Sequence, residues 1–257
     1  MNIDLKCKKI WVLVGTRPEV IKQVPLYLAL VEKFQKENVA LIGTGQHKDL
    51  LDQALASFGL ELDINLNLMR PGQSLEKMNA SVLEEMGQMI KEYRPEYLIV
   101  QGDTSSAAMT AWAGFLNKIK IIHNEAGLRS FDMLNPFPEE ANRRLIGIVA
   151  DIHMAPTEMA KCALLSEGIP SEKIFVTGNT GIDALKMTLE RAPSSQVKEI
   201  LEDIKNQNLD LVLLTAHRRE NLGKHLKNMF KATKRIVDEY DDIKVIYPIH
   251  RNPLLEK

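Results

Sequence analysis

Four polar segments follow short apolar, β-rich runs: Gly15-Thr-Arg17, Gln101-Gly-Asp-Thr104, Asn124-Glu-Ala-Gly-Leu-Arg129 and Thr215-Ala-His-Arg-Arg-Glu220. In an open α/β sheet, ligands bind in the crevice outside the carboxyl ends of the strands, so all four are expected to point into one cleft. Gly15-Thr-Arg-Pro18, with Lys22 one turn further on, joins backbone donors at a helix N-terminus to two cations, Arg17 and Lys22, a setting suited to phosphate oxygens. The same residues also fit a conformational glycine beside ordinary surface cations. Asp103 and Glu125 end two different strand runs, and Glu139 with Glu140 opens a helix that continues as Ala141-Asn-Arg-Arg144. Three carboxylates can therefore converge. Like charges in a partly desolvated cleft disfavour simultaneous ionisation, which is how a carboxylic acid becomes a proton donor or acceptor near neutrality. The structural alternatives are a helix N-cap for Asp103, with Thr104 competing, and helix-dipole compensation for Glu139 and Glu140. His217, between Leu211-Val-Leu-Leu214 and Arg218-Arg219-Glu220, is a candidate to hydrogen-bond a leaving phosphate, with a purely structural histidine as the alternative.

These residues need a scaffold, and the hydrophobic pattern supplies one. Strands are expected at Ile10–Val14, Val39–Ile42, Tyr97–Gln101, Ile119–His123, Ile152–Ala155 and Ile174–Thr177, with helices between most of them: a Rossmann-like first domain. The first helix is expected from Glu19 to about Gln35, with Pro18 just before it and Val20, Val24, Leu28 and Val31 on one face. Ser74–Tyr93 carries Leu75, Met78, Val82, Met86, Met89 and Ile90 at helical spacing, a stripe that suits core or a subunit contact. Past Thr177-Gly-Asn-Thr-Gly181 a second domain is expected, with strands Leu209–Leu214 and Ile243–Pro248 flanking a helix over residues 222–240. The division expected is 1–178 for the domain carrying the carboxylates and 179–257 for a partial C-terminal domain. A doubly wound domain needs on the order of 100 residues or more, so the second reads as cut short.

Composition narrows the function classes. Over 257 residues, 33 Lys and Arg balance 34 Asp and Glu, which argues against both a strongly basic nucleic-acid binder and an acidic disordered chain. Cys7 and Cys162 lie far apart without a CxxC partner and read as buried fillers, so no disulfide scaffold or thiolate zinc site is drawn. The other histidines, His47, His123 and His250 among them, show no metal-ligand spacing, and no metal is expected. The run Ile10–Val14 is too short for a signal-peptide core, and Ala107–Leu116 is too short to span a bilayer. A cytoplasmic protein with no membrane partner is expected. Neither GxGxxG after the first strand nor GxxxxGK[ST] occurs, which argues against a dinucleotide oxidoreductase and a P-loop NTPase.

Taken together, Gly15-Thr-Arg-Pro-Glu-Val-Ile-Lys22, Thr44-Gly-Gln-His47, Gln101-Gly-Asp-Thr104, Glu125-Ala-Gly-Leu-Arg129, Pro136-Phe-Pro-Glu-Glu-Ala-Asn-Arg143, Gly178-Asn-Thr180 and Ala216-His-Arg-Arg-Glu-Asn221 resemble the non-hydrolysing UDP-N-acetylglucosamine 2-epimerases. The resemblance runs from about Lys9 to Pro253. It implies two Rossmann-like domains of the GT-B type, the second incomplete here, and inversion at C2 of UDP-GlcNAc to give UDP-ManNAc through loss and readdition of UDP, with no cofactor. It also implies catalytic roles for Asp103, Glu125, Glu139 and His217, substrate binding by Arg17 and Lys22, and a homodimer. The Ser74–Tyr93 helix is our expected contact in that dimer. In bacterial members, positions equivalent to Gln46, His47 and Arg70 hold a second, activating UDP-GlcNAc; alternatively Gln46 and His47 cap a helix beginning near Lys48 and Arg70 is a solvated cation. Two departures stand out. An Asp-Ser-Gly-Gly segment that holds UDP in the family is absent from the 257 residues, and Asn124 occupies a position where Val is more usual. An inactive or partly active fragment and a GT-B glycosyltransferase are the alternatives.

Overall fold

The structure, a computed structural model, describes residues 5, 8–45, 48–68, 72–216 and 223–248, and the chain divides into two compact units, Met1–Glu190 and Arg191–Lys257. The first unit runs β1 (Ile10–Val14), α1 (Arg17–Phe34), β2 (Val39–Gly43), α2 (Lys48–Ala56), β3 (Ile64–Asn65), α3 (Leu75–Tyr93), β4 (Tyr97–Gln101), α4 (Ser105–Leu116), β5 (Lys120–Asn124), α5 (Glu139–Val149), β6 (Ile152–Ala155), α6 (Glu158–Ser166), β7 (Ile174–Val176) and α7 (Thr180–Leu189). All seven strands are parallel, in the order β3-β2-β1-β4-β5-β6-β7. The chain winds outward from β1 to β3 and then returns to lay β4 beside β1, so the winding reverses between these two strands and leaves a crevice at their carboxyl ends.

The continuous apolar run of β1 follows from burial on both faces. Ile10, Val12 and Val14 pack on Val20, Val24 and Tyr27 of α1 and on Leu51 and Leu55 of α2, while Trp11 and Leu13 face Val82, Met86, Met89 and Ile90 of α3. The methionine stripe of α3 is therefore core of its own unit, with Met86 fully buried, and it is not available as the dimer contact expected from its breadth. Sheet on one side and α4 on the other use up that face, which is why it is so wide.

Three further expectations are adjusted by the packing. β5 ends at Asn124, one residue later than expected, because the Asn124 side chain is buried and hydrogen-bonded and does not open a turn. α7, expected in the second domain, packs against α1 with Ala184 buried, so the first unit extends to Glu190 and not to residue 178. Cys162 is exposed, not a buried filler, and Cys7 lies outside the described residues.

The second unit comprises α8 (Ser195–Asn206), β8 (Asp210–Leu213), α9 (Lys224–Glu239) and β9 (Ile243–Ile246). β8 and β9 pair in parallel from Asp210↔Ile243 to Leu213↔Ile246, with α9 as the crossover. The Tyr247 hydroxyl donates to the Ala216 carbonyl at 2.7 Å and its ring meets Phe230 edge-on at 5.2 Å, closing the β9 end over the segment after β8. Among the described residues no helix is long and apolar enough to cross a membrane.

Two buried histidines give the first unit an acid sensitivity. His123 and His153 are register partners on β5 and β6 and are fully buried. Burial, with neighbouring cations adding, pushes His123 down to about 3 and His153 down to about 4. Both imidazoles are kept neutral when folded, whereas the unfolded chain takes up protons below its ordinary value of about 6.5. Stability is therefore lost as pH falls from about 6.5 towards 4, at up to about 1.4 kcal/mol per pH unit for each histidine. His153→Leu is expected to keep more of its Tm at pH 5 than the parent does, and equal acid losses in the two would contradict this.

Candidate functional site

The β1–α1 turn brings backbone to the crevice. Gly15 lies where the ends of β1 and β2 meet α4: a Cβ there would sit 2.6 Å from Thr44 Oγ1 and 2.7 Å from Ser106 Oγ, so a larger residue would have to displace these side chains. Thr16 caps α1 by accepting from the Glu19 N–H at 3.4 Å, and Thr104 caps α4 by accepting from the Ala107 N–H at 3.1 Å. Thr104 thus fills the role in question at Asp103, whose carboxylate is left for other work. Both capped N-termini border a cleft of about 640 Å³ at the carboxyl ends of β1, β4 and β5, a size suited to a small-molecule ligand.

Four acidic side chains line this cleft, and Glu125, Asp103 and Glu139 each have a different environment. Glu125 follows β5 in a left-handed conformation, φ 64°, which a non-glycine residue adopts only at a cost of about 1–2 kcal/mol when its surroundings hold it there. Lys22 Nζ bridges both its oxygens at 2.5 and 2.6 Å, and the Gln101 amide donates to Oε2. Asp103 Oδ2 accepts from Arg143 Nη2 at 2.5 Å, and Asn142 Nδ2 donates to the Asp103 carbonyl at 2.9 Å and to Ser105 Oγ at 3.1 Å. Glu139, the first residue of α5, has its Oε2 buried without a hydrogen-bond partner among the described residues. The cleft is thus less uniformly anionic than three carboxylates alone would make it, because two of them carry their own cation.

Glu140 faces away from the cleft. It is fully buried and accepts from Arg144 Nε at 2.9 Å, Arg143 Nη1 at 3.3 Å and the Ser130 N–H at 2.9 Å. Burial opposes its ionisation, but the Ser130 and Arg144 hydrogen bonds and the Arg143 charge outweigh that and hold the carboxyl below the usual glutamate range. Arg143, bridging Glu140 and Asp103, is the link between this structural anion and the cleft.

Glu19 is a further acidic residue of the site, one that its place in the sequence does not mark. It lines the cleft from beneath yet is only 3% exposed; Oε2 accepts from the Gly15 N–H at 3.0 Å and Oε1 from the Thr104 hydroxyl at 2.9 Å. Burial raises its pKa, against the pull of the Thr16, Thr104 and Gly15 hydrogen bonds. A raised carboxyl pKa means that the folded chain keeps a proton that the unfolded chain releases above about 4.5, so stability falls as pH rises through that range. Glu19→Gln is expected to remove this slope and to be more stable than the parent at pH 8, with the gap closing towards pH 4.5; parallel curves of stability against pH would count against it.

Of the expected site residues, Lys22, Asp103, Glu125 and Glu139 come together in this cleft. Arg17, the first residue of α1, is exposed and does not line it. His217 and the expected regulatory residues Gln46, His47 and Arg70 lie outside the described residues. Gln101, Asn142 and Arg143 were not singled out, although each stands inside a motif already noted. Among the described residues no group of His, Cys, Asp and Glu is placed to hold a metal ion.

A doubly wound parallel sheet with a carboxylate-lined cleft at its switch point defines a small-molecule-binding α/β protein with acid–base groups in place. The UDP-N-acetylglucosamine 2-epimerase family model matches residues 31–257, and the chain belongs to that family. It is 42% identical over 253 residues to the UDP-N-acetylglucosamine 2-epimerase of Bacillus subtilis, covering 98% of this chain and 65% of that protein. The crystal structure of the UDP-GlcNAc 2-epimerase of Neisseria meningitidis bound to UDP-GlcNAc superposes with a TM-score of 0.84 at 38% identity, over 96% of this chain and 67% of that one. The Methanocaldococcus jannaschii UDP-GlcNAc 2-epimerase in complex with UDP-GlcNAc and UDP gives 0.71 at 34% identity, over 96% and 67%. The chain thus spans about two thirds of the length of the relatives it matches.

Proposed function

We propose that the protein interconverts UDP-GlcNAc and UDP-ManNAc, with the sugar seated in the cleft lined by Asp103, Glu125 and Glu139. The observation that carries this reading is the meeting of Asp103, Glu125 and Glu139 at the switch point of the sheet, the last with a buried oxygen that has no partner among the described residues. In the reaction the C2–H bond breaks towards a carboxylate, the C1–O bond breaks with its electron pair leaving on UDP, and a C1=C2 glycal forms. Return of a proton to the opposite face of C2 and readdition of UDP at C1 complete the inversion. The C2 proton is weakly acidic, so its removal needs a positioned base and a stabilised leaving group. Glu139 Oε2 has no competing partner among the described residues, which suits it to take or return a proton. Lys22 and Arg143 hold Glu125 and Asp103 beside it. Arg17 and the α1 N-terminus serve the diphosphate, and His217 hydrogen-bonds the departing UDP.

The proposal extends to a cytoplasmic homodimer that needs no cofactor, and to activation by a second UDP-GlcNAc at Gln46, His47 and Arg70, read out as faster reverse reaction when UDP-GlcNAc is added to UDP-ManNAc. A monomeric mass by light scattering across micromolar concentrations would remove the dimer.

The test is incubation with UDP-GlcNAc in deuterated water. Solvent deuterium at C2 of the recovered UDP-sugars, or equal amounts of UDP and glycal, is expected. UDP release with the original proton retained at C2 would identify a hydrolase or glycosyltransferase and defeat the reading.

A further inference from the structure

Directly behind the Lys22–Glu125 ion pair lies a buried, uncharged network that the proton chemistry does not use. Asn124 is 2% exposed; its Nδ2 donates to Gln23 Oε1 at 3.2 Å and to Thr180 Oγ1 at 3.4 Å. Gln23 is fully buried, and its Nε2 reaches the carbonyls of Leu13 at 3.4 Å and Ile99 at 3.3 Å. Two amides therefore tie α1 and β5 to β1, β4 and the start of α7, at the place where the strand order reverses.

Their positions in the chain give the network a purpose. Gln23 follows Lys22 and Asn124 precedes Glu125, so each amide is one residue from a member of the ion pair. The pair itself is a poor anchor: Lys22 is 29% exposed, and a half-solvated ion pair contributes only about 0–1 kcal/mol. Glu125 also occupies a left-handed backbone conformation that something else must hold. Buried amides can do this, since leaving one unpaired costs about 1–3 kcal/mol. A Val in place of Asn124 would remove the donor to Gln23 Oε1 and strand that oxygen.

We infer that Gln23 and Asn124 are a coupled pair of positioning residues that sets Lys22 Nζ across both carboxylate oxygens of Glu125. The inference rests on the epimerase reading of the cleft. Neither residue touches the reacting atoms; they act through the residues beside them. A register error of about 1 Å at the reacting groups is enough to cost up to about 10²-fold in rate.

The test uses the full chain with Asn124→Val, with Gln23→Met and with both, at a temperature where circular dichroism shows every variant folded. Deuterium exchange at C2 is measured as a function of UDP-GlcNAc concentration. Each single replacement is expected to lower kcat about tenfold, the equivalent of one orphaned buried hydrogen-bonding group, with KM within about threefold of the parent. The double replacement, which leaves no stranded amide, is expected to return to within about threefold of the parent kcat. Parental kcat in the single variants, or losses that add up in the double, would overturn the inference while leaving the epimerase reading intact. No exchange in the parent would defeat that reading, and the inference with it.

Discussion

Glu125→Gln is expected to lower turnover of UDP-GlcNAc by about 10²–10⁴-fold, the range spanned by positioned acid–base groups. The replacement keeps the shape of the side chain but puts an amide where Lys22 Nζ now meets two carboxylate oxygens at 2.5 and 2.6 Å and where Gln101 also donates. At most one oxygen then remains to face two donors. The fold should tolerate the change: Lys22 is part-exposed and can rehydrate, so the cost to stability is about 1 kcal/mol or less. The measurement is kcat together with Tm. Turnover within threefold of the parent would reduce Glu125 to a tether for Lys22 and would move the proton chemistry to Glu139 and Asp103.

Gly127→Ala is expected to destabilise the first unit by about 2–5 kcal/mol. Gly127 has φ 88°, a conformation that costs an L-residue about 1–2 kcal/mol. An added Cβ would also lie 2.3 Å from the carbonyl oxygen of Ala160 and 2.9 Å from its carbon, both backbone atoms of α6. No flexible side chain can yield there, so the helix or the segment after β5 must move, adding about 1–3 kcal/mol. Thermal unfolding should shift down by roughly 5–15 °C at this domain size. Because Gly127 is two residues beyond Glu125, turnover should fall as well, even at temperatures where the variant is folded. An unchanged Tm would show that this segment is not clamped against α6.

How much of this was legible beforehand depended on the kind of signal. β1 was readable to the residue because a parallel strand buried on both faces writes itself as an uninterrupted apolar run, and the bounds of β4 and β6 were readable as well although Gln101 and His153 break the apolar pattern of theirs. β3 was not, since Ile64–Asn65 is too short to show any period. The end of β5 was misjudged by one residue because Asn124 looks like the start of a turn until Gln23 is found opposite it, 101 residues away in sequence. The stripe on α3 had the right spacing, but spacing does not distinguish a face covered by the chain's own sheet and α4 from one covered by a second copy. Asp103, Glu125 and Glu139 were legible because they lie just after a strand or start a helix, where the topology directs side chains towards the crevice, and Lys22 because it stands little more than one turn into the helix that follows β1. Glu19 was hidden by its resemblance to ordinary first-turn acids that offset the helix dipole; only its contacts with Gly15 and Thr104 reveal a buried carboxyl. Arg143 was hidden because its partners come from different elements, Asp103 from the turn after β4 and Glu140 from its own helix.

If the cleft carboxylates carry the proton chemistry at C2, removing all three must abolish it. The decisive measurement is the rate of solvent deuterium incorporation at C2 of UDP-GlcNAc in a variant carrying Asp103→Asn, Glu125→Gln and Glu139→Gln together, compared with the parent under the same conditions. Exchange is expected in the parent and its loss in the triple variant, with the folded structure retained by circular dichroism. Exchange near the parental rate with all three carboxylates replaced would contradict it.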